Sequence, residues 1–271
     1  MNLEIFKNNN KFLMLAFDHR GSFKKFINKE NPELVTDEEV IKTKRIVIEN
    51  LQDLFSGVLI DPDWGLPAYK NKTKPFLLCV EKSGYVEEGK SRITQIEYKI
   101  KDLKKLGASG IKLLIYFNPE DKSSKIQLET SKSILLEAKA NDTPLFLEIV
   151  TYGKDEDSRR GELVLKSLDM FLGSGIRPDV FKLEYPGSLE NCQKITEKLK
   201  DIPWILLTRG VSYNEFKSQL QNAIDAGAVG FLAGRALWQE IVNYKTWEEK
   251  ENYLKNIVRS RFEEINKITL K

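Results

Sequence analysis

The hexapeptide Asp179-Val180-Phe181-Lys182-Leu183-Glu184 sets a lysine and a carboxylate two positions apart in an otherwise apolar run. Read as a strand, it sends Lys182 and Glu184 to one face with Val180, and Phe181 and Leu183 to the other. A lysine turned into a low-dielectric interior is pushed toward its neutral form, and a neutral amine attacks carbonyl carbons. The spacing therefore points to imine chemistry. Similar apolar runs carry or end in Asp18-His19-Arg20, Asp61, Glu81-Lys82, Lys112 and Glu148. Buried lysines are uncommon and buried ion pairs are expensive filling. Lys112, Lys182, Glu148 and Glu184 are accordingly read as functional, and Asp18 with them. Asp61 and Glu81 read as helix N-caps or loop carboxylates. His19 and Arg209 fit either a local structural role or a functional one.

Two glycine turns carry a second signal. Thr208-Arg209-Gly210-Val211-Ser212 and Gly234-Arg235-Ala236-Leu237-Trp238 each lead from an apolar run into a helical pattern. Glycine lets backbone N–H groups approach an anion, and a helix N-terminus favours negative charge. Thr208, Gly210 and Gly234 are therefore candidate phosphate-binding positions, with Arg235 as a bidentate clamp.

These residues need a scaffold that brings them together, and the pattern of elements supplies one. Apolar runs at Phe12–Asp18, Gly57–Asp61, Pro75–Glu81, Gly110–Tyr116, Pro144–Val150, Asp179–Glu184, Pro203–Thr208 and Gly230–Gly234 read as strands. Helical patterns separate them: Asp37–Phe55, Ile93–Leu106, Ser124–Ala140, Gly161–Leu172, Ser188–Lys200 and Asn214–Ala226, with more helix from Leu237 onward. Eight strands alternating with helices imply a closed parallel sheet buried on both faces. The expectation is a single (β/α)8 TIM barrel over 1–271 with extra C-terminal helix. In such barrels, polar residues at the C-terminal strand ends build the site. An open doubly wound sheet is disfavoured, because no Gly-rich dinucleotide loop follows the first strand.

Composition narrows the function classes. The 271 residues include 43 basic and 40 acidic side chains, a net +3, which gives no argument for nucleic acid or a membrane surface. No stretch approaches a membrane span of about 20 apolar residues, and the N-terminus lacks signal-peptide order. One histidine cannot build a three-histidine zinc site, so neither metal nor cofactor is expected. Cys79 and Cys192 read as reduced core thiols, and a cytoplasmic location is the expectation. Closed barrels commonly associate, so a homo-oligomer is allowed.

The phrases Leu15-Ala16-Phe17-Asp18-His19-Arg20-Gly21, Leu59-Ile60-Asp61-Pro62-Asp63-Trp64-Gly65, Ile111-Lys112-Leu113-Leu114-Ile115-Tyr116, Leu147-Glu148-Ile149-Val150, Val180-Phe181-Lys182-Leu183-Glu184, Thr208-Arg209-Gly210-Val211 and Gly230-Phe231-Leu232-Ala233-Gly234-Arg235 run nearly end to end. Together they resemble the class I tagatose-bisphosphate aldolases and their relatives, sulfofructose-phosphate aldolases and the aldolase-like domain of inositol catabolism. The resemblance implies reversible cleavage of a ketose phosphate through a lysine imine, to dihydroxyacetone phosphate and an aldehyde. It places the imine lysine at Lys182, the proton-transfer glutamate at Glu148, and a second lysine and an aspartate at Lys112 and Asp18. Lys112 would keep Lys182 neutral by like-charge repulsion. His19 stands where tagatose-bisphosphate aldolases usually carry glutamine, and Thr208-Arg209 where they usually carry Ser-Ala. The phrases Phe17-Asp18-His19-Arg20-Gly21-Ser22-Phe23, Val80-Glu81-Lys82-Ser83-Gly84 and Asn118-Pro119-Glu120 look closer to the inositol-pathway domain, which would act on 2-deoxy-5-keto-gluconate 6-phosphate. Arg209 is the departure that bears most on which acid or phosphate is held. Two further readings stay open: a non-catalytic sugar-phosphate sensor, and an enzyme that binds phosphate without covalent chemistry.

Overall fold

In the computed structural model, which describes residues 2–271, eight parallel strands close into a barrel. They are β1 (Lys11–Phe17), β2 (Gly57–Ile60), β3 (Phe76–Cys79), β4 (Gly110–Phe117), β5 (Leu145–Thr151), β6 (Val180–Leu183), β7 (Trp204–Leu207) and β8 (Gly230–Ala233). Each pairs with its neighbour in sequence, and β8 returns to β1 through Gly230 opposite Phe12 and Leu232 opposite Met14. Gly230 holds φ +146, and a Cβ there would collide with the Phe12 carbonyl. Only glycine lets the last strand approach the first this closely.

Alternation divides every strand between two cores. Leu13, Leu15, Phe17, Val58, Ile111 and Phe181 face outward, into the layer shared with the helices. Phe12, Met14, Leu77, Phe146, Val180 and Ile205 face inward and fill the lower barrel. A 3₁₀ turn at Glu4–Phe6 brings Phe6 beneath them, fully buried, its ring 5.4 Å from that of Phe146 in an edge-on contact. The lower mouth is thus stoppered by apolar side chains, and polar inward positions are confined to the upper end.

The outer helices follow their sequence signals. Thr36 caps helix Asp37–Leu51 by accepting from Glu39 N, with Asp37, Glu38 and Glu39 in the positive first turn. Ser188 and Ser212 cap helices Leu189–Leu199 and Tyr213–Asp225 in the same way. The last helix, Arg259–Thr269, seals the ring. Arg259 donates to Asn50 O at 2.6 Å and pairs with Asp53, tying the C-terminus to the first long helix.

Two expectations need correction. The segment 93–106 is not one helix. A hairpin, Val86–Glu88 with Ser91–Ile93, turns at Gly89, and an extended stretch follows before a short helix at Ile100–Lys105. Ile96 bridges Glu81, while Glu97 N and Tyr98 N both donate to Val80 O, so the backbone is engaged along β3 and is not free to coil. The chain after Leu237 is not continuous helix either. A 3₁₀ turn spans Gln239–Asn243, a capping box between Thr246 and Glu249 restarts the helix, and a π turn covers Leu254–Val258. Helix Gly21–Ile27, directly after β1, was not read from the sequence.

The stopper gives a stability test. Phe6→Ala is expected to lower the unfolding free energy by about 3–5 kcal/mol, read from urea titration. A loss below about 1 kcal/mol, the scale of an ordinary surface change, would show that the N-terminal turn is not part of the barrel's core.

Candidate active site

Inward-facing side chains from five strands or their ends, Asp18, Glu81, Lys112, Glu148 and Lys182, converge. Glu148 lies opposite Lys182 across the β5–β6 ladder and opposite Leu114 across β4–β5, while Lys112 lies opposite Cys79. Lys182 Nζ stands 2.7 Å from Glu148 Oε2. Lys112 Nζ is 2.6 Å from Asp18 Oδ2 and 3.6 Å from the same Glu148 Oε2, and it also pairs with Glu81. The four residues expected to be catalytic therefore form one network, and Glu148 lies between the two ammonium groups. Lys112 consequently does not face Lys182 as a bare like charge.

Glu81 is the correction on this side of the site. It is buried rather than a loop carboxylate: one oxygen meets Lys112, and the other accepts Leu114 N at 3.2 Å. Its signal was alternation, since Leu77, Cys79 and Glu81 share the inward face. Arg20 anchors it, donating to the Glu81 carbonyl and pairing with Glu97 at 2.7 Å. Asp61, by contrast, does cap a turn: its carboxylate accepts Trp64 N at 2.7 Å and Gly65 N at 3.1 Å and pairs with Lys44.

The environment separates the charges. Burial works against the Lys112 cation, but Asp18, Glu81 and Glu148 outweigh it and raise its pKa well above the ordinary value. Burial opposes the Asp18 carboxylate too, yet Lys112 and then Lys182 hold its pKa far below the usual carboxylate range. Glu81 goes the other way, burial raising it despite Lys112. His19 falls to about 3, mainly through burial, with Arg235, Lys44 and Lys182 adding and Asp18 opposing. Its ring is neutral, lies edge-on to Trp238 at 5.4 Å, and leaves a buried Nδ1 without a hydrogen-bond partner.

These groups open into a cavity of about 430 Å³ at the barrel mouth. Thr208, Arg209, Gly210, Gly234 and Arg235 line its other wall, as expected for the glycine turns. Gly210 holds φ +78, and a Cβ there would sit 2.9 Å from Arg235 Nη2, so glycine makes room for the guanidinium. Arg235 has no carboxylate partner among the described residues. Arg209 differs: it pairs with Glu184, with Glu156 at 2.8 Å, and donates to Thr151 O at 3.3 Å. Its charge is engaged within the protein. Glu184 does not line the cavity, contrary to expectation. β6 ends at Leu183, and the Glu184 carboxylate turns aside to accept Thr151 N at 2.8 Å and the Thr151 hydroxyl. A larger groove of about 960 Å³ beside the mouth meets this cavity at Arg92, whose guanidinium lies 5.0 Å from the Tyr85 and Tyr152 rings.

The protein is thus a parallel (β/α)8 barrel whose mouth holds two lysines among carboxylates opposite an arginine beside two glycine turns. It belongs to the DeoC/LacD family of aldolases, whose family model matches residues 12–240, and it is accordingly an aldolase, a carbon–carbon lyase. The tagatose 1,6-diphosphate aldolases of Staphylococcus haemolyticus and Staphylococcus aureus are 33% and 32% identical over 263 aligned residues, covering 84% of this chain and 81% and 80% of theirs. Among solved structures, an archaeal fructose-1,6-bisphosphate aldolase with its catalytic lysine bound to a carbinolamine superposes with TM-score 0.70 at 20% identity, covering 97% of each chain. The fructose-bisphosphate aldolase of Plasmodium falciparum gives 0.74 at 15%, covering 98% of this chain and 92% of that one. At these identities the likeness is one of fold. No helix among the described residues is long and apolar enough to cross a membrane.

The neutral His19 predicts an acid sensitivity. The unfolded chain protonates this ring below about 6.5, whereas the folded chain resists until about 3. Between those values the unfolded state binds more protons, so this share of the stability is complete above 6.5 and lost as pH falls toward 3. The slope reaches at most about 1.4 kcal/mol per pH unit. Glu81 and Glu184, raised by burial, act in the opposite sense, so the histidine's share is the difference between wild type and His19→Gln. Urea titrations from pH 7 to pH 4 should show the two curves diverging; parallel curves would rule out a buried neutral ring.

Proposed function

We propose that the chain is a class I aldolase that cleaves a ketose 1,6-bisphosphate of the tagatose type to dihydroxyacetone phosphate and an aldehyde phosphate, through an imine on Lys182. The observation that carries this reading is Glu148 Oε2 placed 2.7 Å from Lys182 Nζ and 3.6 Å from Lys112 Nζ. Proton transfer within the Lys182–Glu148 pair frees the amine. Its lone pair attacks the C2 carbonyl to give a carbinolamine, and loss of water, with a proton supplied by Glu148, gives the iminium. Glu148 then takes the C4 hydroxyl proton as the C3–C4 bond breaks. The aldehyde leaves, and the bonding electrons pass into the iminium to form an enamine. Protonation at C3 and hydrolysis release dihydroxyacetone phosphate and restore the amine.

Lys112 keeps its proton throughout, because three carboxylates surround it, and acts as a fixed cation for a substrate oxygen rather than as a base. Asp18 holds that cation in place. On the opposite wall, Arg235 and the backbone at Gly210 and Gly234 take the phosphate of the dihydroxyacetone half. Support for the substrate class comes from the staphylococcal relatives, which are named for tagatose 1,6-diphosphate.

Borohydride reduction in the presence of dihydroxyacetone phosphate, followed by peptide mass spectrometry, tests the chemistry. The expected result is an adduct on Lys182, and turnover falling by roughly a thousandfold or more in Lys182→Ala. Glu148→Gln should lose about 10²–10⁴-fold. An adduct on Lys112 would overturn the choice of lysine. Binding without any adduct would indicate a non-covalent enzyme or a sensor. Arg235→Ala should weaken dihydroxyacetone phosphate binding by roughly tenfold, as loss of one charge-assisted contact implies; unchanged affinity by calorimetry would place the phosphate elsewhere.

A further inference from the structure

One buried charge takes no part in the chemistry above. Lys44 sits within the apolar stripe Val40, Val47, Ile48, Leu51 of helix Asp37–Leu51, outside the barrel wall, and is fully buried. A lysine there has no reason of packing to exist, since a stripe facing the core favours apolar residues. Its Nζ donates to Phe17 O and to His19 O, each at 2.8 Å, and to the Asp61 carboxylate. Three acceptors match the three protons of an ammonium. The rings of Phe17 and Phe23 lie 5.0 Å and 5.6 Å from it. Asp61 is fixed in turn by Trp64 N and Gly65 N, at the entrance to the next helix.

The two carbonyls that Lys44 holds belong to the residues on either side of Asp18. The Phe17–Asp18 and His19–Arg20 peptide planes, which bracket the Asp18–His19 pair, are therefore fixed from behind, on the helix side. The Asp18 side chain projects the other way, into the cavity, where its carboxylate meets Lys112 Nζ at 2.6 Å. We propose that Lys44 is a positioning residue for the reaction: by gripping the Phe17 and His19 carbonyls it aims Asp18 at Lys112, and so sets where Lys112 stands relative to Glu148. Its consequence for rate rests on the function proposed above; the grip itself does not. Without it, Asp18 loses its bearing, and Lys112 is left to the pull of Glu81 and Glu148. A displacement of about 1 Å in such an array costs on the order of 10²-fold in rate.

A plain structural tie between helix and barrel would make a different prediction, loss of stability alone, and the two can be separated. The variants are Lys44→Met and, because a buried Asp61 left unpaired destabilises the fold, the double variant Lys44→Met/Asp61→Asn, which removes both charges. Each is made in the wild-type background and with Asp18→Asn, and kept at a temperature where circular dichroism shows it folded. The rate of borohydride-trapped adduct on Lys182 at saturating dihydroxyacetone phosphate is expected to fall roughly 100-fold, with affinity by calorimetry little changed. In the Asp18→Asn background the same substitutions should cost nothing further, because they act through Asp18. Trapping at the wild-type rate, or an equal loss in both backgrounds, overturns the proposal. If the wild-type chain itself gives no adduct, the functional reading falls, and the grip is read from the single histidine. Its imidazole NMR signals should move in both Lys44 variants, since His19 would lose its anchored carbonyl; unmoved signals would overturn the positioning role.

Discussion

The ammonium of Lys112, buried among Asp18, Glu81 and Glu148, is the interaction on which the rest of the barrel mouth depends. A lone charge at that depth would be strongly unfavourable, and three carboxylates without it equally so. The cluster balances only when taken whole. With Lys182 it holds two cations against three acids, and burial pushes Glu81 upward, toward its protonated form. A protonated Glu81 would bring the count to two against two. Asp18, held far below the usual range, keeps its charge. These members come from β1, β3, β4, β5 and β6 or their ends, so the cluster exists only once the sheet has closed. The seam at Gly230 and the stopper at Phe6 are, in that sense, conditions of the chemistry.

The mouth is divided by function around its circumference. One arc, from β3 to β6, carries proton-exchanging and cationic groups that touch each other directly. The other, β7 and β8, carries glycines and an arginine with no carboxylate partner among the described residues; β1 joins the two arcs, with Asp18 in the cluster and the neutral His19 beside it. In the proposed reaction the ketone lies over the first arc and the phosphate over the second. The division matters electrostatically. An anion bound beside the acids would repel Glu148 and compete for Lys182, whereas opposite them it leaves the Lys182–Glu148 pair intact.

Much of this was legible in the sequence because the period of a strand is two. Lys112, Glu148 and Lys182 fall on the inward face by counting alone, and the strand boundaries lie within a residue or so of those read from β-branched runs and turn residues. The failures came where that period stops or continues unnoticed. Glu184 is two residues beyond Lys182, but β6 ends at Leu183, so alternation no longer governs it and the side chain turns to Thr151. Glu81 also lies past its strand, yet the bridge to Ile96 prolongs the extended backbone and keeps the side chain inside. Arg209 was read from its place beside a glycine, but its φ of +47 and two acidic partners set its use. Lys44 was missed because a helix lysine is read as solvated. The clue was its register with Val40, Val47, Ile48 and Leu51 on the buried stripe.

The residues missed or misjudged have a physical feature in common. Carbonyls at the C-terminal ends of barrel strands run out of sheet partners just where the site begins, and buried ones must still be satisfied. Here long cations from outside the strand do it: Lys44 for Phe17 and His19, Arg20 for Glu81, Arg209 for Thr151. Each is balanced by a carboxylate that takes no part in the Lys112 cluster, Asp61, Glu97 and Glu184 with Glu156 respectively. A cation suits this task better than a neutral donor, since one terminal group reaches two or three carbonyls and its charge can be matched from a neighbouring loop. A barrel held this way keeps its proton-exchanging groups in register, with His19 offering a gripped carbonyl and Arg209 serving as a gripping cation.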